Sequence, residues 1–184
     1  MNINIISEKD GYFIRLAKAE DITNYYEQNF NPLDKEVARL TGSKEVFTKE
    51  EVTSFFLKSL EDSARYLFLI IAPDGSIIGE SVINEIDWDL RCANFRIGLF
   101  HRNVRGKGIG TWAIEVTRDF AFEKLKIHRL ELDVYSFNPR AEKAYLKVGF
   151  KREGVLRDAV KDGDKYADVI LMSILEDEWR SIKK

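Results

Sequence analysis

Three glycines alternate with other residues in a short basic stretch in the second half of the chain. Gly106, Gly108 and Gly110 follow Arg105 and enclose Lys107. Glycines let a backbone turn tightly, so that several amide N–H groups can approach one ligand. A helix that begins there adds partial positive charge, and the two basic side chains add full charges. The stretch is therefore either a pocket for a pyrophosphate group or a flexible basic loop before a surface helix.

Two well-known glycine motifs do not describe this loop. The phosphate loop of nucleotide hydrolases needs Gly-x-x-x-x-Gly-Lys-Ser/Thr, and that string does not occur in the sequence. The dinucleotide fingerprint needs Gly-x-Gly-x-x-Gly after a first parallel strand, whereas the spacing here is Gly-x-Gly-x-Gly and the motif lies late in the chain. A nucleotide-binding protein is therefore disfavoured.

A second motif follows about thirty residues later and reads NPRAEKAYLKVGF over residues 138–150. With it, the chain resembles the GNAT superfamily of acyl-CoA-dependent N-acetyltransferases. The superfamily signature Arg/Gln-x-x-Gly-x-Gly/Ala matches residues 105–110, and Asn-x-x-Ala-x-x-x-Tyr-x-Lys-x-Gly-Phe matches residues 138–150. The resemblance spans roughly residues 10–180. The tail that starts at Glu153 resembles the branch that acetylates the N-termini of ribosomal proteins.

The resemblance implies a fold, a cosubstrate and a set of contacts. Strand Phe95–His101 would diverge from the strand near Leu130–Ser136, and the exposed backbone would hydrogen-bond the pantetheine arm of acetyl-CoA, as an added strand would. Tyr145 would be the acid that protonates the departing sulfur. The contacts to acetyl-CoA implied in this way are Leu99, Phe100, His101, Arg105, Gly106, Lys107, Gly108, Ile109, Gly110, Thr111, Asn138, Ala141, Tyr145 and Lys147.

Some of these residues also have a purely structural interpretation. Tyr145 could pack its helix against the sheet, although its place in the motif favours an acid, because a phenol is protonated at neutral pH. Asn138 precedes Pro139, the arrangement of an N-cap residue and a first helical residue, so it can cap a helix and also lie beside the pantetheine. Leu99 and Phe100 can pack in the core and still offer backbone groups.

The base that takes a proton from the incoming amine is not fixed by the motifs. Many members of the superfamily carry a glutamate in the strand before the glycine loop, but residues 93–98 here read ANFRIG, without a carboxylate. Glu80, Glu85 and Asp87 on the preceding strand are the candidates, and each is also compatible with a solvated charge at a strand edge. A water relay without a dedicated base stays open. His101 has a suitable reference pKa but lies on the cofactor side of the loop.

The elements that must position these residues follow from hydrophobic periodicity and capping signals. Thr48 and Glu51 form a capping box, which predicts a helix after residue 48. Strands are predicted near residues 12–16, 66–72, 77–83, 93–101, 130–134, 150–156 and 167–175, and helices near 19–30, 48–60, 110–125 and 139–149. The order β-α-α-β-β-β-α-β-α-β-β predicts an α/β fold of the α+β kind, with a mixed sheet and helices on both faces.

Length and composition set limits on the class of protein. The 184 residues suit one domain, with 45% hydrophobic and 33% charged residues. The net charge of −2 gives no global attraction to nucleic acid or to an anionic membrane. One cysteine, Cys92, and two histidines exclude a disulfide within the chain and a three-histidine metal site. The first ten residues do not resemble a signal peptide, so we expect a cytoplasmic protein without a metal.

The function expected from the sequence is therefore transfer of an acetyl group from acetyl-CoA to a primary amine. The alternative is a non-catalytic acyl-CoA-binding or regulatory module on the same scaffold. Acidic and aromatic residues between Asn24 and Ser63 would suit a peptide N-terminus, a polyamine or an aminoglycoside-like amine, but a solvated helix face is at least as consistent with them. We expect a monomer or a homodimer.

Overall fold

A computed structural model describes residues 5–183 of the chain, which form one sheet and six α-helices. The elements in chain order are β1 (Ile5–Lys9), β2 (Tyr12–Leu16), α1 (Ile22–Asn29), α2 (Lys35–Thr41), α3 (Lys49–Glu61), β3 (Tyr66–Ile71), β4 (Ile77–Asp87), β5 (Cys92–Leu99), α4 (Ile109–Glu123), β6 (Arg129–Tyr135), α5 (Pro139–Lys147), β7 (Lys151–Asp162), β8 (Lys165–Leu175) and α6 (Glu176–Ile182). The mixed α/β class predicted from the sequence is confirmed.

The eight strands lie in the order β1-β2-β3-β4-β5-β6-β8-β7. Every neighbouring pair is antiparallel except β5 and β6, which are parallel. That parallel pairing ends at Asn94 and Glu131, although β5 continues to Leu99 and β6 continues to Tyr135. The two central strands therefore diverge over their second halves, as the resemblance to the GNAT superfamily implies.

Helices cover both faces of the sheet, and each face has its own hydrophobic core. On one face, α4, α5 and α6 pack on the larger core, in which Phe122, Phe150 and Trp179 are buried. On the other face, α1, α2 and α3 pack on a smaller core that includes Tyr25 and Phe56. The apolar run of β3 is buried from Leu67 to Ile71 because this strand is covered on both sides.

The predicted order of elements was wrong at three places. Strand β1 was missed because it is a short, mostly exposed edge strand with polar residues. Helix α2 was missed because seven residues give too little periodicity, and α6 because its first turn is acidic rather than apolar. The last two strands are also longer than predicted, and they form a hairpin that closes at residues 163–164.

The capping signals located the other helices well. Thr48 accepts from the N–H of Glu51, and the Glu51 side chain accepts from the N–H of Thr48, so the capping box before α3 is formed. The helix predicted from residue 19 begins with a short 3₁₀ turn and continues as α1. None of the helices in the described part of the chain is long and apolar enough to cross a membrane.

Candidate active site

A cavity of about 820 Å³ opens where β5 and β6 diverge; we call it the splay cavity. The outer edge of β5 is bonded to β4 as far as Leu99, and the outer edge of β6 is bonded to β8 as far as Tyr135. The inner edges beyond Asn94 and Glu131 have no ladder partner. Their backbone groups therefore face the cavity and can bond an extended ligand as an added strand would.

The glycine loop forms one end of the splay cavity. Gly106 and Gly108 have φ angles of 77° and 79°, in the left-handed region that other residues rarely adopt. A Cβ atom at either position would meet no atom within 4 Å, so the backbone angle, and not crowding, is what favours glycine there. Gly108 is the N-cap of α4, and Gly110 and Thr111 line the cavity. The first-turn N–H groups of this helix suit an anionic group.

One face of α5 adds positive charge to the same cavity. Arg140, Lys143 and Lys147 are spaced three and four residues apart, so they lie along one side of the helix, and all three line the cavity. Asn138 caps α5, because its side chain accepts from the N–H of Ala141 at 3.3 Å. The cap and the cationic side of α5 together border the space next to the glycine loop.

Arg105 is held by helix α2 and not by the glycine loop alone. Its guanidinium pairs with the carboxylate of Glu36, lies 3.7 Å from that of Asp34 and donates to the carbonyl of Leu99 at 3.3 Å. Arg102 also pairs with Asp34, at 3.0 Å. The basic loop and the acidic start of α2 are therefore joined by ion pairs.

A second cavity, of about 400 Å³, lies on the face covered by α1, α2 and α3; we call it the aromatic cavity. Its aromatic lining residues are Tyr25, Phe30, Phe47, Phe55 and Phe100. The residues that line both cavities are Val37, Thr41, Arg96, Ile97 and Gly98. The two cavities therefore share a wall made by α2 and the second half of β5.

Glu80 belongs to the aromatic cavity and lies opposite Gly98 across the β4–β5 ladder. It is partly buried, and its carboxylate accepts from the hydroxyl of Tyr25 at 2.6 Å. Burial raises the pKa of Glu80, against the opposing effects of the Tyr25 hydrogen bond and of the charges of Arg96 and Arg65. A carboxylate with a raised pKa in a cleft is suited to accept a proton near neutral pH.

Tyr145 belongs to the splay cavity on the other side of the shared wall. The residue is buried, and its ring packs edge-on against Phe95 and Phe150, with centroids 6.2 Å and 5.9 Å away. Burial and the nearby charge of Asp133 raise the pKa of the Tyr145 phenol further above 10. The phenol therefore stays protonated at neutral pH, so packing and proton donation are compatible at this residue.

Most of the residues that the sequence assigned to acetyl-CoA meet in the splay cavity. Those that line it are Leu99, Arg105, Gly106, Gly108, Gly110, Thr111, Asn138, Ala141, Tyr145 and Lys147. The remaining four lie elsewhere. Phe100 lines the aromatic cavity and its N–H donates to the carbonyl of Ile78. Ile109 is buried in the core, Lys107 is exposed on the loop, and His101 contacts the Asn29 side chain at 3.2 Å.

The three carboxylates proposed as bases lie at different points along β4. Glu80 is at the shared wall, whereas Glu85 lies five residues further, which is about 17 Å along an extended strand. Glu85 is exposed, has a φ of 54° and lines the far end of the splay cavity. Asp87 accepts from the N–H groups of Asp89 and Leu90 and so closes the β4–β5 turn.

Three cationic residues that the sequence did not single out line the cavities. Arg140 and Lys143 were visible as a helix face together with Lys147, at spacings of three and four residues. Arg96 lies in residues 93–98, the string in which many members of the superfamily that the chain resembles carry a glutamate. The sequence does indicate which sheet face Arg96 is on, because residues alternate along a strand and Arg96 therefore shares a face with Gly98 and Phe100.

Comparison with known proteins agrees with this geometry. Residues 12–151, more than half of the chain, match the acetyltransferase (GNAT) domain family. The chain belongs to this family. It is similar to spermidine N(1)-acetyltransferase of Vibrio cholerae, at 29% identity over 71% of this chain and 75% of the relative. It is also similar to the probable N-acetyltransferase YjcK of Bacillus subtilis, at 30% identity over 69% of this chain and 70% of the relative.

Solved structures share the fold of this GNAT domain. Spermidine N-acetyltransferase of Vibrio cholerae, in complex with CoA and spermine, matches with a TM-score of 0.83 and 24% identity over 94% of this chain and 99% of that one. Ribosomal-protein-S5-alanine acetyltransferase of Vibrio fischeri matches with a TM-score of 0.80 and 24% identity over 94% and 97% of the two chains. The protein is an acetyl-CoA-dependent N-acetyltransferase.

Proposed function

We propose that acetyl-CoA binds in the splay cavity and that the acetyl group passes directly to a primary amine that enters through the aromatic cavity. One observation carries this proposal. The two cavities share a wall at Ile97 and Gly98, with Glu80 on the aromatic side and Tyr145 on the splay side. A base and an acid are therefore available on opposite sides of the place where an amine and a thioester can meet.

The residues of the splay cavity suit acetyl-CoA. The unpaired inner edges of β5 and β6 would bond its pantetheine amides, and the N–H groups of the glycine loop and of α4 would hold its pyrophosphate. Arg140, Lys143 and Lys147 add charge complementary to its phosphates. When bound, acetyl-CoA supplies the acetyl group as a thioester. Because Arg105 is paired with Glu36, we assign Arg105 to fixing the loop.

Glu80 is the proposed base and Tyr145 the proposed acid. An amine is an ammonium ion at neutral pH and must lose a proton before it can form the new C–N bond, and Glu80 accepts that proton directly or through one water molecule. The hydroxyl of Tyr25 holds one oxygen of Glu80 in place. Tyr145 holds a proton that it can give to the sulfur as the C–S bond breaks. Glu85, which is exposed at the far end of the cavity, has no role in this scheme.

Steady-state kinetics of three variants test these roles. Tyr145→Phe should lower kcat about 100-fold or more and leave the affinity for CoA, measured by calorimetry, nearly unchanged. Glu80→Gln should lower kcat/KM to a similar degree and abolish the rise of kcat/KM with pH on the acidic side, which in the wild type lies above pH 4.5 because the pKa of Glu80 is raised. Glu85→Gln should keep that rise.

Each role has its own contrary result. Unchanged turnover in Tyr145→Phe would remove this residue from the mechanism. An acidic limb that survives in Glu80→Gln and disappears in Glu85→Gln would move the base to Glu85. An acidic limb that survives in both variants would favour a water relay without a dedicated base.

A further inference from the structure

The aromatic cavity offers few negative charges to a polycation. Within residues 5–183, the only carboxylates that line this cavity are Glu51 and Glu80. Glu51 pairs with Lys44 and accepts from the N–H of Thr48, so its carboxylate already has partners within the chain. Only Glu80 is left, and the proposed function uses it as the base. A ligand with several ammonium groups would therefore leave most of its charges without partners in this cavity.

Arg96 adds a positive charge beside Ile97 and Gly98, where the proposed function places the reacting amine. Its side chain is exposed and lines both cavities, next to Ile97 and Gly98. Its neighbour across the ladder is Val82, which is apolar. In the described part of the chain, no carboxylate lies within the 4 Å of an ion pair with the Arg96 guanidinium. A guanidinium of this kind suits a ligand carboxylate, which it can bind with two parallel hydrogen bonds.

The other positive charges of the aromatic cavity already have partners. Arg65 lies 3.8 Å from Asp62 and above the ring of Phe55, and Lys44 is paired with Glu51. One unpaired cation matches a ligand with one negative charge. A peptide N-terminus has its first carboxyl group in an amide bond, so a free carboxylate close to the amine is the mark of an amino acid.

The remaining lining of the aromatic cavity is apolar. Phe30 lies at the centre of a cluster of rings, with centroid distances of 5.1 Å to Tyr25, 5.5 Å to Phe47 and 5.4 Å to Phe100. Leu33, Val52, Leu67 and Val82 line the same space. A cavity of about 400 Å³ with this lining fits the side chain of a large apolar amino acid.

We propose that the acceptor is a small amino acid-like amine with an apolar body and a carboxylate that Arg96 binds, and not a polyamine. This inference rests on the proposed function, because it assigns the chemistry of the amine that enters the aromatic cavity. Arg96 is thereby a specificity-determining residue. The C–N bond forms at the amino group while the C–S bond of the thioester breaks. The ammonium loses one proton to Glu80, and the second proton that leaves the nitrogen replaces the one that Tyr145 gives to the sulfur. The carboxylate takes no part in the transfer.

Matched pairs of amines test the assignment. Initial rates of thiol release from acetyl-CoA are measured with two matched pairs, L-phenylalanine with 2-phenylethylamine and L-leucine with 3-methylbutylamine. Glycine, which has no apolar side chain, and spermidine, which is a polyamine, are measured beside them. The wild type should prefer each apolar amino acid to its decarboxylated partner by about tenfold or more in kcat/KM. Leucine and phenylalanine should exceed glycine, because each buried methylene adds about a fourfold gain.

Variants at Arg96 separate charge from structure. In Arg96→Gln the ratio of kcat/KM for each amino acid to kcat/KM for its decarboxylated partner should fall to about twofold or less; this ratio cancels any change in overall rate caused by losing the Arg96 charge near Glu80. Arg96→Lys, which keeps the charge, should keep part of the preference. Arg157→Gln is the matched control, because Arg157 is exposed on β7 and lines neither cavity; its preference should equal that of the wild type.

The contrary outcomes are distinct. Equal kcat/KM for acids and their decarboxylated partners, or a higher value for spermidine than for any amino acid, would overturn the assignment and leave acetyl transfer intact. A preference for the carboxylate that persists in Arg96→Gln would overturn the role of Arg96. Thiol release with none of the amines, in a protein that binds CoA, would overturn the proposed function and this inference with it.

Discussion

At the scale of single residues, the pKa of the Glu80 carboxyl group is set by opposing effects of its surroundings. Burial favours its protonated form, whereas the Tyr25 hydroxyl and the charges of Arg96 and Arg65 favour the carboxylate. Burial outweighs the other three effects, so the pKa rises. The carboxylate therefore keeps a higher affinity for a proton than an exposed glutamate has, and this is what a base for an ammonium ion needs.

In the proposed mechanism the acetyl group passes to the amine at the wall shared by the two cavities, and Gly98 leaves that wall without a side chain. A Cβ atom there would meet only Phe100, at 3.9 Å, so Gly98→Ala should fold with nearly unchanged thermal stability. The added methyl group would stand between Glu80 and the splay cavity, and displacement of the reactants by about 1 Å can cost as much as 100-fold. We expect kcat/KM to fall about 10- to 100-fold.

Gly154→Ala is the matched control for this prediction. A Cβ atom at Gly154 also has its nearest neighbour at 3.9 Å, but Gly154 lies on β7 and lines neither cavity. Its activity and thermal midpoint should stay close to those of the wild type. Full activity in Gly98→Ala would show that the acetyl group and the amine do not meet at this residue.

The sequence revealed some site residues and concealed others for a physical reason. Tyr145 and Asn138 lie in a continuous motif, so their positions could be read directly from the chain. The site of Arg96 depends on the pairing register of β5 with β4 and on which sheet face carries the acceptor helices. Such long-range pairing leaves no local pattern, and this is why only the structure brought Arg96 and Glu80 to one cavity.

At the scale of elements, helix α2 joins the parts of the site. Its N-terminal carboxylates Asp34 and Glu36 hold Arg102 and Arg105 beside the glycine loop. At its other end, Arg39 pairs with Asp162 of the β7–β8 hairpin at 2.6 Å. Residues of α2 line both cavities, so the position of this helix sets the shape of both binding sites.

Helix α2 was also the hardest helix to predict. Seven residues are too few to be stable without tertiary contacts. Gly42, with a φ of 68°, ends the helix, and a Cβ atom there would lie 2.1 Å from the Tyr135 hydroxyl, so this end packs closely against β6. The contacts that stabilise α2 come from residues far along the chain, and its own sequence carries little of the signal.

Asp34 allows the cap of α2 to be separated from its ion pairs. Its side chain accepts from the N–H groups of Glu36 and Val37, at 2.9 Å and 3.1 Å. Asp34→Ala should lower the free energy of unfolding by about 1 kcal/mol and raise KM for the amine, because Val37 and Thr41 would lose their fixed positions. Asp34→Asn keeps a side chain that caps well, so its free energy of unfolding should fall by only a few tenths of 1 kcal/mol.

Denaturant unfolding and amine saturation curves of the two variants measure these effects. If Asp34→Asn were as unstable as Asp34→Ala, the ion pair with Arg102 would be the main contribution and the cap a minor one. Unchanged KM for the amine in a destabilised Asp34→Ala would show that α2 does not shape the aromatic cavity.

At the scale of the whole molecule, the sheet must remain open at its centre and closed elsewhere. Only three residue pairs join β5 to β6, at Cys92–Asn94 and Arg129–Glu131. The resemblance to a family predicted this opening; hydrophobic pattern alone did not, because β5 and β6 alternate in the same way whether or not they are paired to their ends. The second half of the sheet therefore relies on contacts among β6, β8 and β7.

Arg129 links these three strands. It lies on β6 and donates to Ser173 of β8 at 3.1 Å and to Glu153 of β7 at 2.8 Å. The hydroxyl of Ser173 donates to Glu153 at 2.6 Å. The hydrogen bonds from Arg129 and Ser173 hold the pKa of Glu153 at about 2, below its usual 4.5. The carboxylate form of Glu153 is thus favoured by the folded state.

The stability that Glu153 adds should depend on pH with a definite sign. Because its pKa is lower in the folded than in the unfolded chain, the contribution is fully present above pH 4.5 and is lost as the pH falls toward 2. Glu153→Gln should therefore be less stable than the wild type at pH 7, by up to about 1 kcal/mol for a pair this exposed. The two free energies of unfolding should converge near pH 2, as urea unfolding at pH 7, 4 and 2 would measure.

Glu61→Gln, at an exposed position at the end of α3, is the control, and its free energy of unfolding should differ little from that of the wild type at any of these pH values. A deficit of Glu153→Gln that stayed constant down to pH 2 would mean that Glu153 stabilises the three strands by packing and not by its charge.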